Sequence, residues 1–296
     1  MRQRDVFFKY PHVLQILYFA AISIGCLLLS ANIASLLVLA IGGAGSMDTR
    51  ASLLFIQGFS SIGGFLFPAL WLGWMKKAGT ADFLHARSRA KTIPVLTGIA
   101  FLVLSAPLVS ALQGWGASWH PGPGLDAFFS QKTAQSEWLI ERLLHVDSWG
   151  SFLAAFLVIA VIAGVCEEFL FRGGLQNLLA EWFKNPHAAV WVAAAIFSAV
   201  HVDLAGFLPR CLLGGILGYA YMYSGSIWVP VLLHMANNGV SCLLEFCYHK
   251  GYSKLDPDVL SQSLGPEWII ASIAGLVFFS IFIFRYRRLK ENPMDQ

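Results

Sequence analysis

The stretch "WGSFLAAFLVIAVIAGVCEEFLFRGG", Trp149 to Gly174, runs from fifteen uncharged, mostly apolar residues almost directly into two adjacent glutamates and an arginine. Ionisable groups at membrane depth are costly unless paired or hydrated, so such a run marks a membrane helix that carries a functional candidate. The whole chain agrees with its most apolar part. Of 296 residues, 57% are hydrophobic and 12% charged, with a mean hydropathy of +0.64, whereas a soluble domain carries about a quarter charged residues. Repeated apolar runs joined by short loops predict an all-α, polytopic integral membrane helix bundle, with no soluble domain left over.

The formal charge of +3 is modest, and the basic residues sit in blocks beside apolar runs, which excludes nucleic acid as a partner. Cys26, Cys166, Cys211, Cys242 and Cys247 lie in or beside apolar segments without a CxxC. They form neither a disulfide framework nor a zinc-finger spacing, and read as buried small hydrophobes. The start "MRQRDVFFKYPH" imitates a secretory signal, but the apolar run from Val13 continues to about Gly42. That exceeds a signal core of about 7 to 15 residues, so a retained first span is expected.

Eight spans are expected, at about 13–40, 52–75, 93–112, 149–183, 187–204, 207–223, 227–247 and 267–285,. A break in the first near Ser30 to Asn32 is anticipated, and the amphipathic second half of the fourth, "LQNLLAEWFKNP", is expected to project from the bilayer. With eight spans and the N-terminus inside, 14 of the 20 Lys and Arg fall on the cytoplasmic side, which places both termini in the cytoplasm. The longest loop, 113–148, then lies outside, and its part "FFSQKTAQSEWLIERLLHVDSW" has amphipathic helical spacing suited to the membrane surface or to lidding the bundle,. Gly214 and Gly218 form a GxxxG read as close helix packing,. Three regions follow: 1–145 with N-terminal spans and the external loop, 146–250 with the polar clusters, and 251–296 with a last span and a basic tail.

Three polar clusters occupy predicted spans. In "EEFLFR", Glu168 and Arg172 stand four apart, the order that favours an ion pair,. Glu167 points about 100° away from Glu168 and is left available. "FSAVH" ends in His201, and "HMANN" places His234 and Asn238 one turn apart. If spans four and five turn at Lys184 to Pro186, Glu167 and His201 lie about 25 and 22 Å from that end, at matching depth. His234 and Asn238 lie about 10 to 17 Å in from Ile227, a mismatch that shrinks if the hairpin protrudes into the cytoplasm.

A carboxylate, two imidazoles and an amide converging in one cavity suit peptide-bond hydrolysis, which needs a base to activate water and donors for the developing oxyanion. A glutamate in a low-dielectric cavity is a suitable base, a histidine beside it can hold the water, and Asn and His are ready oxyanion donors. Arg172 would fix Glu168 so that it does not compete. Either histidine cluster alone reads better as interhelical glue; the three together shift the balance to a site. Asp203, Arg210, Glu245 and the other histidines (His12, His85, His120, His145, His187 and His249) read as solvated groups in loops or near span ends.

"EEFLFR" fits EExxxR, "FSAVH" fits FxxxH (Phe197, His201) and "HMANN" fits HxxxN, in that order. The set resembles the CPBP intramembrane metalloprotease family, also called the CAAX protease or abortive-infection (ABI) family, of type II CAAX prenyl endopeptidase-like enzymes. The resemblance covers about 151–248. It implies an intramembrane endopeptidase acting on membrane-associated protein or peptide substrates, with prenylated CAAX-type proteins among them. Carried over, Glu167 would activate water with His201, His234 and Asn238 would stabilise the oxyanion, and Glu168 and Arg172 would orient the site. Zinc, if bound, would fall to Glu167, His201 and His234, but the same residues can hold a water without it, and a metal-free glutamate mechanism, with no cofactor, is favoured. The compact chain with basic cytoplasmic loops reads as a bacterial cytoplasmic-membrane protein. The competing class is a non-catalytic membrane protein, an immunity factor, scaffold or transporter, that uses the cluster for structure or ion binding. No GxSG, GxGD or HExxH occurs, which disfavours the serine, aspartyl and site-2 types of intramembrane protease.

Overall fold

The computed structural model describes residues 7–76, 79–144, 148–254 and 265–291, with side chains to 281. Its helices, in chain order, are α1 (His12–Gly42), α2 (Arg50–Met75), the short α3 (Thr80–Phe83), α4 (Thr92–Ala117), α5 (Pro123–Leu144), α6 (Trp149–Phe183), α7 (Pro186–Ala199), α8 (Phe207–Ser224), α9 (Trp228–His249) and α10 (Pro266–Glu291). No strand occurs among the described residues. The fold is an all-helical polytopic bundle, and each of the eight expected spans corresponds in order to one of α1, α2, α4 and α6 to α10. Among the described residues, α1, α2, α4 and α6 are long and apolar enough to cross a membrane by themselves. The 14 residues of α7 are too few for that,.

Large apolar side chains face outward on α1 (Leu17, Leu28, Leu36), α4 (Ile93, Val103) and α10 (Ile270, Phe278). This arrangement suits lipid rather than water as the solvent. The interior forms around α6. Its Leu170, Phe171 and Leu175 pack with Phe19, Leu72 and Phe197, while Phe152 at its start stacks on Phe246 of α9 at 4.8 Å.

Local chemistry explains the helix ends. Lys184 closes α6 in the left-handed conformation, with φ of 53°. Asn185 then caps α7, its side chain accepting from the backbone N–H of His187 and Ala188, and Pro186 supplies the first helical position,. The hairpin turn therefore falls at the expected Lys184 to Pro186. Before it, Leu178 and Leu179 are buried in the core and Lys76 bonds Glu181 at 2.7 Å, so the "LQNLLAEWF" segment packs against α1 and α2.

Two expectations are corrected. Helix α1 runs unbroken through Ser30 to Asn32, because Ser30 Oγ donates to Cys26 O and Asn32 Nδ2 to Leu28 O. The polar side chains satisfy themselves on the preceding turn instead of opening the helix. The connection over 113–148 carries the expected amphipathic helix as α5, but this begins earlier, at Pro123, and α4 runs past its expected end at 112 to Ala117. Leu125, Phe128, Trp138 and Ile140 of α5 are exposed, whereas its end is tied to α6 by Arg50, which donates from Nε to Leu143 O of α5 and from NH2 to Ser151 O of α6,.

The pattern of spans gave no hint of three π-helical segments, Ile62–Leu66, Leu157–Ile162 and Phe169–Gln176. Two of them flank the paired glutamates in α6. Such segments shift the facing of side chains and free backbone carbonyls from the regular ladder.

The GxxxG glycines bring α8 close to α6 and α7. A Cβ on Gly214 would stand 3.0 Å from both Cα and Cβ of Ala194, whereas one on Gly25 of α1 would meet nothing within 4 Å. Gly214→Leu is therefore expected to destabilise the purified protein by about 1–3 kcal/mol. Gly25→Ala should stabilise it by about 0.5–1 kcal/mol. Thermal unfolding in one detergent checks both, and equal effects would contradict the packing.

Candidate active site

Glu167 and Glu168 sit near the middle of α6 between its two π-helical segments. Glu168 is fully buried and Arg172 nearly so. Arg172 NH1 donates to Glu168 Oε1 at 2.8 Å, as the four-residue spacing predicts. The guanidinium also donates from NH2 to Gly214 O at 3.1 Å and lies 4.8 Å from the centre of the Phe197 ring. Gln176, one turn on, repeats the pattern by donating to Gly218 O. The small residues of GxxxG thus do more than let helices approach, since they bring two carbonyls within reach of α6 side chains.

His234, buried on α9, joins this pair from the other side. Its Nδ1 lies 2.7 Å from Glu168 Oε1. A carboxylate accepts, so Nδ1 carries the proton, and the ring is turned with Nε2 towards Glu167 Oε2 at 3.8 Å,. Arg172, Glu168, His234 and Glu167 therefore form one continuous chain of charged and polar groups. Glu167 leaves the Glu168–Arg172 face as expected, yet both glutamates flank the same imidazole. Glu167 is only partly buried, while Glu168 Oε1 takes both donors and Oε2 is buried without a hydrogen-bond partner.

His201 stands just beyond the end of α7 and is exposed. Its Nδ1 lies 2.8 Å from Phe197 O. A carbonyl only accepts, so the neutral ring keeps its lone pair on Nε2. The charge of Glu167 and the His234 ring both lie within electrostatic reach of it. Asn238 donates from Nδ2 to Ile159 O at 3.1 Å and accepts from Asn237 at Oδ1. Ile159 belongs to the first π-helical segment of α6, where a carbonyl is free to accept from another helix. This bond uses one amide hydrogen of Asn238 and leaves the second.

The structure thus brings Glu167, Glu168, Arg172, His234 and His201 around one site, with Asn238 one helical turn from His234. Phe197 has a part that its motif position did not reveal. Its carbonyl orients His201, and its ring packs edge-on against His201 and His234 with centroids 5.1 and 6.0 Å apart while it supports Arg172. An aromatic residue one turn before a histidine was the available signal. Among the described residues, no three His, Cys, Asp or Glu side chains are placed to hold a metal ion. Glu168 is committed to Arg172 and His234, and the Nδ1 atoms of both histidines are engaged. With both Nδ1 atoms bonded, the donors that would hold a zinc are Glu167 and the Nε2 atoms of His201 and His234,.

Of the groups expected to be solvated, His85, His120, His187 and His249 are exposed, whereas Asp203, Arg210 and Glu245 are partly buried and paired. Arg210 bonds Asp203 at 2.5 Å, His249 meets Glu245 at 3.0 Å, and His187 meets Tyr219 at 3.1 Å. His85 packs on the Tyr221 ring, and His12 has a buried ring nitrogen without a partner. His145 lies outside the described residues. The first two pairings join residues seven and four apart, whereas His187 and His85 reach Tyr219 and Tyr221 of α8 from other parts of the chain, which span-level patterning does not resolve.

Residues 149–240 match the family model described as Type II CAAX prenyl endopeptidase Rce1-like. That stretch contains all six of these polar residues and Phe197. The chain is also similar to the "Putative membrane peptidase YdiL" of Bacillus subtilis (strain 168), 27% identical over 89 residues, which are 30% of this chain and 36% of that protein. It is 28% identical over 143 residues to an "Uncharacterized 24.3 kDa protein" of Escherichia coli, covering 44% of this chain and 64% of that one. The chain thus spans about a third and just under two thirds of the lengths of these relatives. No solved structure matches it.

Removing one member of a buried ion pair strands the other. Arg172→Met is therefore expected to destabilise the protein by about 3–5 kcal/mol, with much of that recovered in Glu168→Gln/Arg172→Met. Denaturant unfolding of the purified variants measures both, and a single variant as stable as wild type would contradict the burial.

Proposed function

We propose that the chain is an intramembrane endopeptidase that hydrolyses peptide bonds of membrane-associated substrates with a water activated by Glu167. The observation that carries this proposal is the position of Glu167. It is partly open, free of Arg172, and faces an imidazole already fixed by a second carboxylate. A base held in this way is available to water, while its neighbour is fully occupied.

In the proposed reaction the water hydrogen-bonds Glu167 and the Nε2 lone pair of His201. Its oxygen attacks the scissile carbonyl carbon as one proton passes to Glu167. With a proton at Nε2, His234 donates to the resulting oxyanion, joined by the second amide hydrogen of Asn238. Collapse of the tetrahedral intermediate breaks the C–N bond, and Glu167 returns the proton to the leaving amine. Arg172, Glu168 and Phe197 hold the two rings. No step passes through a metal.

Prenylated CAAX-type proteins are the finer substrate proposal, supported by the family model that the stretch matches. A bacterial cytoplasmic membrane is the proposed location. The two bacterial relatives support it, as does the clustering of Lys and Arg on the side proposed to hold both termini,.

Glu167→Gln keeps size and hydrogen bonding but cannot take a proton. Cleavage of membrane proteins in cells, or of a prenylated CAAX-type peptide by purified protein, should fall by about 10²–10⁴-fold while folding and insertion persist. Full activity in this variant would favour the non-catalytic class. A chelator added to purified wild type should leave the rate unchanged, and inactivation reversed by zinc would overturn the metal-free route.

A further inference from the structure

We infer that the Asp203–Arg210 ion pair is a clasp that positions His201, making both residues positioning residues of the proposed site. His201 lies outside any regular helix, at the start of the turn from α7 to α8. The next residue, Val202, has a φ of 52°. A β-branched side chain in the left-handed region is strained and persists only where the surroundings enforce it.

Four contacts supply that enforcement. Ser198 Oγ donates to Phe207 O across the turn. The N–H groups of His201 and Val202 donate back to Ser198 O and Ala199 O. Arg210, in the first turn of α8, donates from NH2 to Asp203 Oδ2 at 2.5 Å, which ties the second residue after His201 to the next helix. Gly206 makes room for this contact, since a Cβ there would collide with Arg210 NH1 and Asp203 Oδ2.

The pair is half-made for its residue types. A guanidinium and a carboxylate can form two parallel bonds, but here one forms, and Arg210 NH1 and Asp203 Oδ1 are buried without partners,. A turn selected for stability alone would not leave both poles unused. The shape that suits His201 is kept instead, with Nδ1 on Phe197 O and Nε2 left as the ring's other nitrogen. The Arg210 charge also lies within electrostatic reach of His201. The clasp therefore sets both the place and the electrostatic surroundings of the ring.

This inference rests on the endopeptidase reading only for its rate measurement. The full chain, purified in detergent, would be treated with diethyl pyrocarbonate, and carbethoxylation of His201 followed by peptide mass spectrometry with the exposed His120 and His187 as internal references. In Asp203→Asn and Arg210→Gln, the His201 rate is expected to change by about threefold or more relative to the references, a coupling usual for groups in contact. Cleavage of a prenylated CAAX-type peptide should lose about 10- to 100-fold in kcat with KM within about twofold, as expected when a catalytic group is misplaced. Arg210→Lys, which keeps the charge and one bond, should retain both readouts. An unchanged His201 rate in Arg210→Gln would overturn the clasp. So would a parallel change of all three histidines with no rescue by lysine, which marks general loss of fold. Equal cleavage by wild type and Glu167→Gln would defeat the protease reading alone, while the modification rates still decide on the clasp.

Discussion

The bundle is organised around one buried ion pair, Glu168 with Arg172. Neither group is exposed to solvent, and the Coulomb attraction of two ions inside a protein seldom offsets their desolvation without further bonds. Here those bonds come from three other helices. The carbonyl of Gly214 on α8 accepts from the guanidinium, the Phe197 ring on α7 lies against it, and His234 on α9 donates to the carboxylate. Each partner is needed where it stands, so the pair fixes how α6, α7, α8 and α9 sit against one another. Glu167, on the adjacent face, inherits a defined neighbour from that arrangement.

The backbone of α6 is adapted to the same end. Its two π-helical segments lie on either side of the glutamates. One contains Ile159, whose carbonyl anchors Asn238, and the other contains Arg172 itself. A regular helix would keep its carbonyls in the local ladder, whereas widened turns let α6 serve as an acceptor towards α9 without breaking.

Much of this was legible in the residues. Apolar run lengths located eight of the helices, Asn-Pro after Lys184 marked the hairpin, and the spacing of Glu168 and Arg172 predicted their bond, because each depends on local sequence and helical period alone. The three motifs pointed to the residues that meet around Glu167. Other features depend on what lies across the bundle. The π-helical segments, the carbonyl of Gly214, the threefold part played by Phe197 and the Asp203–Arg210 pair have no local periodic signature. The continuity of α1 through Ser30 to Asn32 was missed for a related reason. Polar side chains within an apolar run can break a helix or bond back to it, and the surroundings choose between the two.

The shortness of α7 has a consequence for the surrounding lipid. Fourteen residues of helix extend about 21 Å, roughly 9 Å less than a typical hydrocarbon core,. The bilayer beside α7 must thin, or admit water, to meet the turn that bears His201. Acyl-chain length thereby becomes a variable for the turn that bears His201: thinner membranes relieve the mismatch, and thicker ones work against its hydration.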